Sequence, residues 1–231
     1  METFSLNNNL LKDIFDYAKP LGHCEDSSTL NIGFGFLYYG LVRALRPQHV
    51  LVIGSGFGFS VVCLALGIKD NGNRGVLTFI DPSYSLIKDG PFKTVGGTNQ
   101  WADPEKVSEH FKRFSVEQIV THYKYTSREF FKFYDVLHLA DIDIAFIDGN
   151  HAFYQVKYDF NSVLRHSHKN TYIFLHDTNL YLRELLRHAG VKKLVNSIKQ
   201  EEEFFEVINF PFSSGVALIR VLKDNTWKFI Q

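Results

Sequence analysis

The run HVLVIGSGFGFS, residues 49–60, changes character half-way along. Its first half, HVLVIG at 49–54, is a short continuous apolar stretch rich in β-branched residues and closed by glycine. A strand buried on both faces of a parallel sheet requires that pattern. Its second half, Gly54, Ser55, Gly56, Phe57, Gly58, Phe59 and Ser60, leads into SVVCLALG at 60–67, which reads as a helix. Strand, glycine turn and helix in that order mark the place where an open α/β sheet binds a nucleotide-like ligand. Glycines there admit a ligand to the backbone without Cβ clashes, and the helix amides beyond can receive an anionic group. A turn needed only for close strand–helix packing is the competing account of the same residues.

Working outward, VLTFID at 76–81, QIVTHYKY at 118–125, DIDIAFID at 141–148 and TYIFLHD at 171–177 repeat the strand pattern. Helical patterns lie between them, over PEKVSEHFKRF at 104–114 and over 152–166. Such alternation means βαβ units and a parallel, doubly wound sheet. FFEVINF at 204–210 and GVALIRVL at 215–222, joined by PFSS, break the alternation and read as an antiparallel pair at the sheet edge. The expected architecture is an α/β fold with a mostly parallel seven-stranded sheet and an antiparallel C-terminal hairpin.

Upstream, residues 4–18 suit an amphipathic helix ended by Pro20 and Gly22, and residues 32–45 a second helix ended before Pro47. The expectation is a single domain over 1–231, with 1–46 a helical N-terminal extension. The connection over 82–117 is too long for a simple link. Gly90, Gly96 and Gly97 would give it hinges and Tyr84, Phe92 and Trp101 apolar surface, which suits a lid, although Trp101 reads equally well as core.

Composition narrows the function. Twenty-five Lys and Arg balance 25 Asp and Glu over 231 residues, so there is no basic excess to neutralise phosphates, and nucleic-acid and anionic-membrane partners are disfavoured. No stretch approaches the roughly 20 apolar residues of a membrane span, and the N-terminal residues lack a secretory pattern. Cys24 and Cys63 are too few and too dissimilar in context for a disulfide framework. A cytoplasmic chain acting on a small molecule is the expectation, with homo-oligomerisation left open.

Three further positions carry chemistry. Asp81 ends the second strand pattern about 20 residues after the glycine turn, where a carboxylate can accept both hydroxyls of a ribose; a solvated turn residue before Pro82 is the alternative. Asp148 closes FIDGNH and Asp177 closes FLHDTN. On neighbouring strands their ends would lie about 4.8 Å apart. Like charges held together call for a cation, and oxygen ligands suit Mg²⁺, with Mn²⁺ or Ca²⁺ as competitors. Helix capping is the bland reading of both acids. His151, one short turn after Asp148, is the best general-base candidate, because a neutral imidazole can take a proton from a hydroxyl that a metal has acidified.

The spacing G-x-G-x-G departs from the dinucleotide fingerprint G-x-G-x-x-G, since Phe59 stands where the third glycine belongs. At this point the chain resembles the class I S-adenosylmethionine-dependent methyltransferases. VLVIGSGFGFS is similar to their first motif, IDPS to their ribose-binding turn and VINFPFSSGVALIRV to their closing hairpin, while Val52 departs from their usual acid. The resemblance implies a cofactor site at Gly54, Ser55, Gly56, Gly58, Ser60, Asp81, Ser127 and Asp148. It extends to the metal-assisted small-molecule O-methyltransferases, which implies Asp148 and Asp177 as ligands to a divalent metal, Mg²⁺ foremost, and His151 as the base. The third ligand departs from the family, which has a Glu before the second acid or an Asn after it where this chain has His176 and Thr178; His176 either binds the metal as an imidazole or only orients Asp177. A nicotinamide-dependent oxidoreductase and a non-catalytic cofactor-binding protein are the alternative functions.

Overall fold

The structure, a computed structural model, describes residues 4–72, 74–84, 87–89, 92–94, 99–180 and 190–224. Strands β1 (His49–Ile53), β2 (Val76–Ile80), β5 (Val120–Tyr123), β6 (Ile142–Ile147), β7 (Ser167–His176), β8 (Phe205–Phe210) and β9 (Val216–Val221) form one seven-stranded sheet. Its order is β5-β2-β1-β6-β7-β9-β8. The first five strands run parallel, and β9 pairs antiparallel with both β7 and β8. The expected fold is therefore present. Strand order reverses between β1 and β6, so a crevice opens at their carboxyl ends.

Alternation along the strands explains why every residue of β1 is buried. Val50 and Val52, with Leu77, Phe79, Ile144, Phe146 and Phe174, face one layer, which α2 (Phe34–Leu45), α3 (Phe59–Asn71) and α4 (Pro104–Arg113) cover. Leu51 and Ile53, with Ile80, Ala145, Ile147, Ile173 and Leu175, face the opposite layer, under α5 (Ser127–Phe133), α6 (Phe153–Arg165) and α7 (Gly190–Ile198). Each large side chain buried this way contributes about 1.5–3 kcal/mol.

Several boundaries differ from the sequence reading. The N-terminal helix is shorter than 4–18: α1 (Asn8–Asp13) starts at an Asn7 cap and passes into a π turn, Ile14–Ala18, which stops at left-handed Lys19. Helix α3 runs on to Asn71, where Gly72 takes the left-handed cap. Strand β7 begins at Ser167 rather than 171 and carries an irregularity opposite Ile142–Ile144. Two short strands, β3 (Ile87–Asp89) and β4 (Phe92–Thr94), pair within the long insertion. Gly90, Gly96 and Gly97, the expected hinges, lie outside the described residues. No helix among the described residues is long and apolar enough to cross a membrane.

Candidate functional site

The glycine turn is shaped by two close approaches. Gly54 has φ +75°, and a Cβ there would lie 2.6 Å from the Asp148 carbonyl oxygen, so only glycine lets β1 end this close to β6. Its amide donates to the Ile80 carbonyl at 2.8 Å, which fixes the turn against β2 as well. Gly56 is the opposite case: it is exposed, and a Cβ there would meet nothing within 4 Å. The turn wraps one side of a cavity of about 480 Å³, lined by Gly54, Ser55, Gly56 and Phe57 and, across from them, by Tyr125, Thr126 and Ser127.

Gly58 and Ser60, also expected in the cofactor set, are not among the residues that line this cavity. Gly58, at φ +86°, lets Trp101 and His110 pack beneath the turn. The buried Ser60 hydroxyl lies 3.1 Å from the Ser55 hydroxyl and holds the turn from behind. Trp101 is core rather than lid surface. It is 1% exposed, and its indole N–H donates to the Ser55 carbonyl at 2.9 Å.

Asp81 lies at the end of β2 and faces the cavity. Its carboxylate accepts from the Ser83 amide at 2.7 Å and, weakly, from the Ser55 amide at 3.4 Å. Burial nevertheless raises its pKa to about 6, the two amides and the more distant Asp148 acting as smaller influences. Ser127 opens α5, whose Thr126 cap and Glu129 form a reciprocal capping box. Its hydroxyl donates to Asp159 at 2.6 Å, and Asp159 also accepts from Gln155 at 2.8 Å. Burial pushes Asp159 up to about 6 as well.

The two acids expected to hold a metal do converge. Register sets Ile147 beside Leu175, so the residue level with Asp148 is His176, and Asp177 follows one position later. Asp177 adopts a left-handed φ of +62°, a conformation that Asp tolerates better than most residues. His176 Nδ1 stands 3.0 Å from Asp148 Oδ1 and 3.4 Å from Asp177 Oδ1. His151 closes the ring from the other side, with Nε2 3.3 Å from Asp148 Oδ1 and Nδ1 3.4 Å from Asp177 Oδ2. Ligand atoms of Asp148, His151 and Asp177 all lie within 4.8 Å of one another. Burial alone would raise the Asp148 carboxyl, but the neighbouring His176 and His151 hold it well below the usual range. Burial also opposes charge on His176, yet Asp148 and then Asp177 lift it to about 9.

Asp148 is not the cap of the helix that follows it. Helix α6 starts after Ala152, whose amide is held by Asn150 rather than by Asp148. Thr178 is turned away from the acids, buried with its hydroxyl on Asn209 at 3.0 Å, so His176 is the side chain that reaches them.

Sequence reasoning did not anticipate His23. The N-terminal segment folds back over the cavity, where Lys19, Leu21 and His23 form part of its wall. The His23 ring stacks on His176 at 4.2 Å between centroids, with Nδ1 3.0 Å from the Tyr38 hydroxyl. Burial, then the charge on His176, lowers its pKa well below the ordinary value. Glu25 accepts from the Gly22 and His23 amides at 3.1 and 2.6 Å and shapes this segment into a tight strap. Asp159 was missed too; it sits on a helix face among polar residues, where nothing local distinguishes it from a solvated acid.

Residues 51–178, more than half of the chain, match the family model described as a methyltransferase domain. The chain belongs to that family. Solved structures agree on the fold of this methyltransferase. An O-methyltransferase from Bacillus cereus in complex with SAH superposes with a TM-score of 0.66 at 14% identity, over 94% of this chain and 92% of that one. TomG from Streptomyces achromogenes, an O-methyltransferase of tomaymycin synthesis in complex with SAM, gives 0.62 at 15% identity, over 96% and 91%. A SAH-bound methyltransferase from Podospora anserina gives 0.61 at 15% identity, over 94% and 88%. No curated protein sequence matches this methyltransferase.

Proposed function

We propose that this methyltransferase moves a methyl group from S-adenosylmethionine to a hydroxyl of a small molecule, assisted by a divalent cation. One observation carries the reading: the glycine turn, the ribose-type acid Asp81 and the Asp148–His151–His176–Asp177 ring all border one cavity. The residues suit the cofactor. A Cβ-free, open Gly56 leaves room for a ligand against the backbone, and Asp81 offers a partly desolvated carboxylate to a diol. They suit a cation as well. Ligand atoms of Asp148, His151 and Asp177 all lie within 4.8 Å of one another, and His176 Nδ1 stands 3.0 Å from Asp148 Oδ1.

When bound, S-adenosylmethionine supplies an electrophilic methyl on sulfur and the cation lowers the acceptor hydroxyl's pKa. The protein's own part is positional. Gly54, Ser55 and Gly56 admit the cofactor's chain, Asp81 fixes its ribose, and Ser127 borders the base end. Asp148, Asp177 and His176 would hold the cation. His151 takes the hydroxyl proton as the oxygen–carbon bond forms and the carbon–sulfur bond breaks. Holding both reactants in line turns a bimolecular encounter into an effectively unimolecular step. In this reading residues 1–231 act as one domain in the cytoplasm, the extension over 1–46 roofs the site, and partners are small molecules.

Calorimetry with S-adenosylmethionine and with NADH tests the cofactor. Binding of the first and not the second is expected, and the reverse would make the chain an oxidoreductase. Methyl transfer to a panel of hydroxyl acceptors, with and without EDTA, tests the rest. Full turnover in EDTA would remove the cation from the mechanism, and binding without transfer to any acceptor would leave a cofactor-binding protein.

A further inference from the structure

Beyond the end of β5 the cavity is closed by three polar side chains, Ser127, Gln155 and Asp159, whose hydrogen bonds can be counted out. The Ser127 hydroxyl gives its one proton to Asp159 Oδ1 at 2.6 Å. Gln155 Nε2 donates to the same oxygen at 2.8 Å and to the Ser127 hydroxyl oxygen at 3.1 Å, while its Oε1 accepts from Arg128 Nε at 3.4 Å. Ser127 therefore has no proton left for a ligand. Asp159 Oδ2 is the atom left over: among the described residues nothing donates to it and no cation pairs with it. Yet Asp159 is only 1% exposed and borders the cavity. A Cβ on Gly149 would lie 3.8 Å from Oδ2, which puts that oxygen against the loop leaving β6. A carboxylate desolvated to this degree is costly unless a donor meets its free oxygen.

Sheet order says which part of a ligand arrives there. Strand β2 lies between β1 and β5, so a nucleoside with its ribose on Asp81 sends its amino-acid chain along the β1 turn toward β6 and β7 and leaves its base on the β5 side, beside Tyr125, Ser127 and Asp159. We infer that Asp159 Oδ2 accepts the exocyclic amino group of the purine, so that this carboxylate, and not the Ser127 hydroxyl, selects a 6-amino base over a 6-oxo base. The inference rests on the reading of the cavity as the S-adenosylmethionine site. An ionised carboxylate can only accept, and a 6-amino group donates to it, whereas a 6-oxo base sets oxygen against oxygen. Ser127 and Gln155 are then positioning residues: both donate to Oδ1, which fixes the carboxylate and keeps Oδ2 free.

Calorimetry on the full-length protein with S-adenosylhomocysteine and S-inosylhomocysteine, which differ around carbon 6 of the base, tests the assignment. The wild type is expected to bind the first at least about tenfold tighter than the second. Asp159→Asn keeps Oδ1 for Ser127 and Gln155 but sets an N–H₂ donor where Oδ2 stood, so it should weaken the adenosyl ligand, strengthen the inosyl one and close or reverse the preference. A merely structural role would shift both affinities together. Asp159→Ser, too short to reach the base, should also lose the preference, and it reads the same effect if the Asn variant does not fold. Equal affinities in the wild type, or a preference unchanged in either variant, overturn the role of Asp159 while leaving the cofactor reading. Binding of neither ligand by the wild type overturns the cofactor reading, and this inference with it.

Discussion

Gly54→Ala and Gly56→Ala, two residues apart in one turn, should fail in opposite ways. At Gly54 the new side chain forces a left-handed residue, which costs about 1–2 kcal/mol. Its Cβ would also lie 2.6 Å from the Asp148 carbonyl oxygen and 2.7 Å from Gly149 Cα, both backbone atoms that yield only if the end of β6 moves. Overpacking of that kind costs about 1–3 kcal/mol more. The sum, about 2–5 kcal/mol, corresponds to a fall in Tm of about 5–15 °C for a chain of this size. Gly56 has no positive φ and nothing within 4 Å of its Cβ position, so Gly56→Ala should melt within about 1 kcal/mol of the wild type. The same methyl group stands in the space assigned to S-adenosylmethionine, and affinity should drop at least about tenfold, or about 1.4 kcal/mol. Thermal unfolding and calorimetry, run on both variants, read the two effects separately. A Gly54→Ala protein that melts with the wild type, or a Gly56→Ala protein that binds the cofactor as tightly as before, would refute the reasoning.

Three other expectations follow from the site. Asp81 and Asp159, both raised to about 6, bind more protons folded than unfolded between about pH 4 and 6, so their contribution favours the folded state at low pH and declines as pH rises through that window. Cofactor affinity should run the other way, weakening below about pH 6 as Asp81 is protonated, with Asp81→Asn flattening the profile in a pH series of titrations. His151→Ala should cut kcat by about 10²–10⁴-fold while leaving cofactor affinity unchanged, and a kcat within threefold or so of wild type would remove it as the base. Trp101→Phe should cost about 1–3 kcal/mol in denaturant unfolding, because the Ser55 carbonyl loses its donor and a gap opens beneath the turn; unaltered unfolding would show that Trp101 does not support the turn.

The central parallel strands were legible because they are buried on both faces: apolar, β-branched runs serve there, and VLVI, LTFI and IAFI stand out from their surroundings. The acids at their ends were legible for the same reason, since strand ends set positions to within a residue. Helix α5 was missed although TSRE at 126–129 is a capping box, because seven residues rich in aromatics show little helical period. Helix α7 was overlooked next to a polar stretch. The split between Gly56 and Gly58 was not readable, because both are glycines in one motif and only the packing of Trp101 tells them apart. His23 lies 153 positions before His176, and no local pattern announces a contact at that separation. His176 itself could be placed but not assigned, since its role depends on hydrogen bonds to Gly22 and Ser214, one from each far end of the chain.

That last pairing sets a timetable for synthesis. The roof over the cavity comes from residues 19–25, but the hydroxyl that pins it belongs to the turn between β8 and β9, 192 positions later and so made well after it. Until that turn has emerged, β7 has no β9 beside it and the Gly22 carbonyl lacks the Ser214 hydroxyl. A stalled nascent chain ending before Ser214 would carry the glycine turn and the paired acids under a roof not yet pinned, ripening only when the closing hairpin arrives.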